Sequence, residues 1–219
     1  MKNDEMLTAA QLNILAVFRK ALFRRLTFKD LKNLARTHSH SRLQNALFKF
    51  QHLQLITKEV FGDVTTYQLN LANNEALAYL ALIDQGQIRK KEAVFRLLKQ
   101  TTAQLEKQTE FLILLVFGSH AKGQATAKSD VDVAVIIENE QAKQTIKPEL
   151  EIVKRKSLLH ADFQAFTRSE FLEMLKIEEE NVGKEIVRNN FIYCGSESFF
   201  KLIMKVYNET SRQTIFGTS

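Results

Sequence analysis

Apolar residues along this chain recur first at helical spacing and then at alternating spacing. Over residues 8–23, Leu12, Leu15, Ala16 and Phe18 fall on one helical stripe. Thr27, just before FKDL, is placed to cap a short helix reaching Ala35. Ser39 or Ser41 caps a third helix. In it Leu43, Ala46, Leu47, Phe50 and Leu53 return every three or four residues and share one buried face, so Arg42, Gln44, Asn45 and Lys49 point elsewhere. The period then drops to two. Residues 55–60 and 64–69 read as strands, with Gly62-Asp63 as the turn.

Residues 73–108 are helical again, and Gly86 is expected to divide them into two helices. The second carries Lys90, Lys91, Arg96 and Lys99 at solvent positions. From Phe111 strands and helices alternate. FLILLVF is a buried strand ending at Gly118-Ser119, and DVDVAVII is a second strand. Residues 140–159 form a helix, with Pro148 near its first turn or at a break. HADFQAF is a third strand. Thr167 or Ser169 caps the helix FLEMLKIEEE, whose Glu178–Glu180 run is a solvated face, and a further helix reaches Arg188. NFIYC is a fourth strand, Ser196 caps a last helix, and the tail after Asn208 is polar and frayed. The expected organisation is a first domain over 1–70, connecting helices over 71–108 and an α/β domain over 109–219.

Composition narrows the classes. The 219 residues are 45% hydrophobic and 26% charged, which suits a packed globular protein rather than a disordered one. The longest apolar runs, 76–83 and 111–117, are far too short to span a bilayer, so no membrane role is expected. The first residues hold two acids and no apolar segment, so no secretory leader is expected. The single cysteine, Cys194, has no partner for a disulfide or a zinc site and reads as a core residue. A cytoplasmic setting fits. A net charge of +6 is compatible with a polyanionic partner.

Candidate chemistry concentrates in VFGSHAKGQATAKSDVDVAVII. Asp130 and Asp132 are two residues apart in a strand, so both carboxylates lie on one face. Such a pair repels itself unless a cation sits between, and hard oxygen ligands suit Mg²⁺ (or Mn²⁺) together with substrate phosphates. Gly118 and Ser119 open a turn or helix where backbone N–H groups can meet an anion, and Lys122 can reach a phosphate. Gly118 and the two aspartates meet only if their strands run antiparallel. Asp162, at the start of the third strand, joins them only if that strand runs parallel to the second, with residues 140–159 as the crossover. His120 reads as an exposed residue at a helix start and Lys128 as solvated. His38, His40 and His52 read as surface or helix-edge residues.

Gly-Ser, ten residues, then DVD with apolar flanks resembles the signature of the DNA polymerase β-like nucleotidyltransferase superfamily. The intervening HAKGQATAKS is similar to that of its small prokaryotic, minimal members, and GKEIVRNNFIYCGSESFFKLI resembles their C-terminal part. The resemblance covers about residues 90–207. It implies a mixed-sheet nucleotidyltransferase domain that moves a nucleoside monophosphate from an NTP to an acceptor hydroxyl by two-metal catalysis. In that reading Asp130 and Asp132 hold two divalent ions, Asp162 completes the site and helps take the proton, and Gly118, Ser119 and Lys122 hold the triphosphate. Small molecule, protein and RNA end remain open as acceptors.

The first domain resembles a winged helix-turn-helix module, whose third helix enters the major groove. On that resemblance Ser41, Arg42, Asn45 and Lys49 are the candidate contacts to DNA or RNA. Residues 1–85 hold 11 Lys and Arg against 7 Asp and Glu. The hairpin tip Phe61-Gly62-Asp63 is not basic, and Gln54 stands where such domains often carry glycine. Winged helices also dock proteins or pair as homodimers. The competing function is a DNA-binding transcriptional regulator whose transferase-like domain senses nucleotide or is inactive.

Overall fold

The structure is a computed structural model and describes residues 6–37, 39–126 and 128–209. His38 and the tail from residue 210 lie outside the described residues. The chain forms two compact units, Met1–Ile83 and Asp84–Ser219.

The first unit opens with α1 (Ala9–Lys20). Thr8 accepts from the Gln11 N–H while the Gln11 side chain accepts from the Thr8 N–H, a reciprocal cap. β1 (Leu26–Thr27) leads into α2 (Phe28–Leu34), where Thr27 and Asp30 form the same device. Ser39, rather than Ser41, caps α3 (His40–His52). Leu43, Ala46, Leu47 and Phe50 are buried, as the helical spacing predicts, and Leu53 is half-buried. The hairpin β2 (Ile56–Phe61) and β3 (Val64–Leu69) turns at Gly62-Asp63, and β1 pairs with β3, giving the sheet order β1-β3-β2.

α2 and α3 end in the same way. Arg36 and Gln54 have φ of 50° and 56°, and the next N–H in each case bonds back to Lys32 and Phe50 carbonyls respectively. This is the paired-bond helix ending that glycine usually supplies.

α4 (Asn74–Arg89) runs straight through Gly86. The helix ends instead at Lys90-Lys91, before α5 (Glu92–Leu105). One isolated glycine costs a helix only about 1 kcal/mol, too little to break one whose apolar face is packed.

In the second unit β4 (Leu112–Phe117) is followed by the short α6 (Gly118–Lys122), then β5 (Val131–Ile137), α7 (Glu140–Lys156) and β6 (Ala161–Thr167). Pro148 lies in the interior of α7, which continues through it. α8 (Arg168–Lys176), capped by Thr167, stops before Glu178–Glu180, so those acids lie on a bend rather than a helix face. α9 (Val182–Arg188), β7 (Asn190–Cys194) and α10 (Ser196–Glu209) complete the unit. Ser196 does not cap α10. Its hydroxyl is buried without a described partner, and the first turn closes on the Gly195 carbonyl.

The sheet order is β6-β5-β4-β7, with β4 antiparallel to β5 and β6 parallel to β5 across α7. Both strand directions are those expected from the placement of the acids. On one face Val131, Val133 and Val135 pack with Val94, Leu97 and Leu98 of α5 and Ile146, Leu150 and Val153 of α7. Alternation along β5 therefore sends Asp132 to the opposite face. Among the described residues no helix is long and apolar enough to cross a membrane.

Candidate active site

β4 delivers Gly118 to the sheet end at which β5 begins, and the two motifs meet there. Gly118 has φ +62°, and a methyl group on it would stand 2.0 Å from Asp132 Oδ2. The glycine is thus required twice, for its left-handed backbone and for the carboxylate seated against it. Its space is filled by Asp132.

Asp132 is half-buried, and its pKa is raised. Burial is the main cause, followed by the negative charges of Asp162 and Glu185; His120 and the Ser119 N–H act in the opposite sense. Asp132 and Asp162 are direct neighbours across the parallel β5–β6 pair. Asp162 is exposed and accepts a hydrogen bond from Gln164 Nε2 at 3.1 Å. Asp130 is exposed just before β5 and lines a cleft of about 500 Å³ together with Asp162.

A divalent cation fits the chemistry of this donor set. A half-buried carboxylate whose pKa is raised by burial and by two neighbouring acids is a position where added positive charge is favourable. Mg²⁺ commonly takes one or two protein carboxylates and completes its shell with water and phosphate. Among the described residues no three Asp, Glu, His or Cys side chains stand close enough to ligate one ion.

α6 is held from several sides. Lys91 donates from its ammonium to the His120 carbonyl at 2.6 Å, and burial lowers its pKa. It is a half-buried support for the Gly-Ser turn, not the solvent lysine expected from the helical pattern. A positive charge at the carbonyl end of a short helix complements its dipole. Lys122 forms an ion pair with Glu185 of α9 at 2.7 Å. His120 is half-buried, with Nδ1 enclosed and without a described partner and Nε2 3.5 Å from the Ser129 carbonyl, so it is not the exposed residue expected. Glu185 and Lys91 carried no sequence signal, because each acts through a contact distant in the chain.

Lys122, Glu180, Asn181, Glu185, Arg188 and Asn189 line a second cleft of about 520 Å³. Both of its cations are paired, Lys122 with Glu185 and Arg188 with Glu180. Cys194 lies apart from these groups. Burial pushes its thiol up to about 11, which leaves it unreactive.

In the first unit Ser41, Arg42 and Asn45 are exposed on α3. Lys49 is half-buried and donates to the Met6 carbonyl at 2.7 Å. Phe48 is 74% exposed on the same helix, and Val60, Phe61 and Val64 are exposed at the hairpin tip.

Residues 99–198 match the family model described as Polymerase beta, Nucleotidyltransferase. The match spans both motifs and all three aspartates. It supports the superfamily that the sequence resembles and, in general terms, nucleotidyl transfer with an NTP as substrate. No curated protein and no solved structure gives a match.

Proposed function

We propose that the second unit is a nucleotidyltransferase that moves a nucleoside monophosphate from an NTP to an acceptor hydroxyl. The observation that carries this reading is the seating of the Asp132 carboxylate on Gly118, beside Asp162. It joins the Gly-Ser turn and the DVD strand into one site. Gly118, Ser119 and Lys122 bind the triphosphate. Lys122 exchanges Glu185 for phosphate as the nucleotide enters.

Divalent ions held by Asp130, Asp132 and Asp162 would neutralise the phosphates and the acids together. The acceptor oxygen forms a bond to the α-phosphorus, the bond to the bridging oxygen breaks, and pyrophosphate leaves. Asp162 is exposed and so able to accept the hydroxyl proton, directly or through water. Lys91 holds α6 through the His120 carbonyl so that the turn keeps its direction when Lys122 turns to phosphate.

We propose a winged helix for the first unit, supported by the order helix, strand, helix, helix, hairpin and by the β1-β3-β2 sheet. Exposed Ser41, Arg42 and Asn45 favour nucleic-acid binding through α3. An apolar tip beside Glu59 and Asp63 gives the hairpin little attraction for phosphate. A transcriptional regulator with an inactive second unit is the competing reading. Incubation with each α-labelled NTP and Mg²⁺, with and without cell extract, separates the two. Label transferred to an acceptor supports the enzyme. Nucleotide bound but never consumed supports the regulator.

A further inference from the structure

Among the described residues, the clefts beside α9 and beside the end of α7 both border the candidate site and differ in how their cations are paired. In the cleft beside α9 the two cations already have carboxylate partners. The cleft between the end of α7 and the start of β6 is lined by Asp130 and Asp162, and also by Lys154, Ser157, Leu158 and His160. Lys154 is exposed in the last turn of α7, followed by Arg155 and Lys156, and none of the three makes an ion pair with a described side chain. An ammonium and two carboxylates line one cleft without pairing across it.

We propose that this cleft is the acceptor subsite and that the acceptor is a hydroxyl compound carrying a phosphate group. The inference rests on the nucleotidyl-transfer reading and adds the chemical class of acceptor. With nucleotide and divalent ions in place, Asp130 and Asp162 are neutralised. The charge left on the walls is then that of Lys154. Ser157 and His160 add hydrogen-bonding groups. An acceptor whose hydroxyl faces Asp162 and whose phosphate faces Lys154 satisfies both walls. A neutral polyol leaves the lysine without a partner, and a cationic acceptor meets it as a like charge. Leu158, 100% exposed at this cleft, offers an apolar ledge to the carbon framework of the acceptor. A volume of about 500 Å³ suits a small molecule or the terminal nucleotide of a strand.

Calorimetry on the full chain tests this. Protein saturated with Mg²⁺ and a non-hydrolysable NTP analogue is titrated with glycerol 3-phosphate, with glycerol, and with a short oligoribonucleotide bearing a free 3′ hydroxyl. At least one phosphate-bearing probe binds ten times or more tighter than glycerol, and the tighter of the two identifies the source as a small phosphomonoester or a strand end. Lys154→Ala weakens that binding about tenfold, the size of one charge-assisted contact, while Lys154→Arg keeps most of it. Affinity for Mg²⁺ and the nucleotide analogue is unchanged in both variants. Intact nucleotide binding with no preference for phosphate over glycerol, or with no effect of Lys154→Ala, overturns the acceptor class alone. A wild type that binds no Mg²⁺-nucleotide overturns the reading beneath it.

Discussion

Gly118 and Asp132 are one structural decision made at two places in the chain. A Cβ at residue 118 would displace the Asp132 carboxylate, and φ +62° adds a backbone penalty of about 1–2 kcal/mol for any L-residue. Gly118→Ala is therefore expected to lower stability by at least that amount in a denaturant titration and to abolish transfer, since Asp132 must move. Asp132 itself lowers stability at neutral pH. Its pKa is raised by burial and by Asp162 and Glu185, so the folded state binds its proton more tightly than the unfolded chain does. The stabilisation from the neutral form is complete below the ordinary aspartate pKa and is lost as pH rises through the raised one. Asp132→Asn is thus expected to raise the midpoint of thermal unfolding at pH 7, with the gain shrinking toward pH 3. An unchanged midpoint at pH 7 would count against the burial and the acid neighbours that raise the Asp132 pKa. The spacing of the two motifs made these residues legible in the sequence. The reason for the glycine was not, because the group that fills its space lies fourteen positions away and meets it only through strand pairing.

At the scale of elements, the sequence pattern located most helices and strands, because caps and periodicity act within a few residues. Thr8, Thr27, Ser39 and Thr167 all cap the helices they precede. The departures come from tertiary packing. Gly86 and Pro148 are punctuation in the sequence, yet α4 and α7 continue through them. In α7 the buried face of Ile146, Leu150 and Val153 spans the proline, and that packing offsets its missing hydrogen bond. Gln54 shows the reverse case. The sequence lacks the glycine expected before the hairpin, and the backbone adopts the glycine conformation regardless. Gln54→Gly should then stabilise the protein by about 1 kcal/mol, because it relieves a left-handed L-residue. Thermal unfolding checks this, and a destabilised variant would mean that the Gln54 side chain supplies more than the relief of strain returns.

For the whole molecule, the sequence suggested two functions in one chain, and each unit carries its own exposed chemistry. On α3 Arg42 is exposed and makes no side-chain ion pair among the described residues, whereas Lys49 is engaged with the Met6 carbonyl. If α3 meets nucleic acid, Arg42→Ala should weaken binding and reduce the slope of log affinity against log salt by about 0.9, the value for one phosphate contact on duplex DNA. Fluorescence titrations at several salt concentrations read both quantities, and equal slopes for wild type and variant would remove α3 from the interface. The central claim belongs to the second unit, where Asp130, Asp132 and Asp162 are gathered at one end of the sheet by an antiparallel and a parallel pairing. Its most direct test is calorimetric titration of NTP in the presence and absence of Mg²⁺, on the wild type and on Asp130→Asn with Asp132→Asn. The account predicts that Mg²⁺ strengthens nucleotide binding to the wild type at least tenfold, and that the double variant stays folded and loses that dependence. Mg²⁺-dependent binding of equal strength in the two proteins would contradict it.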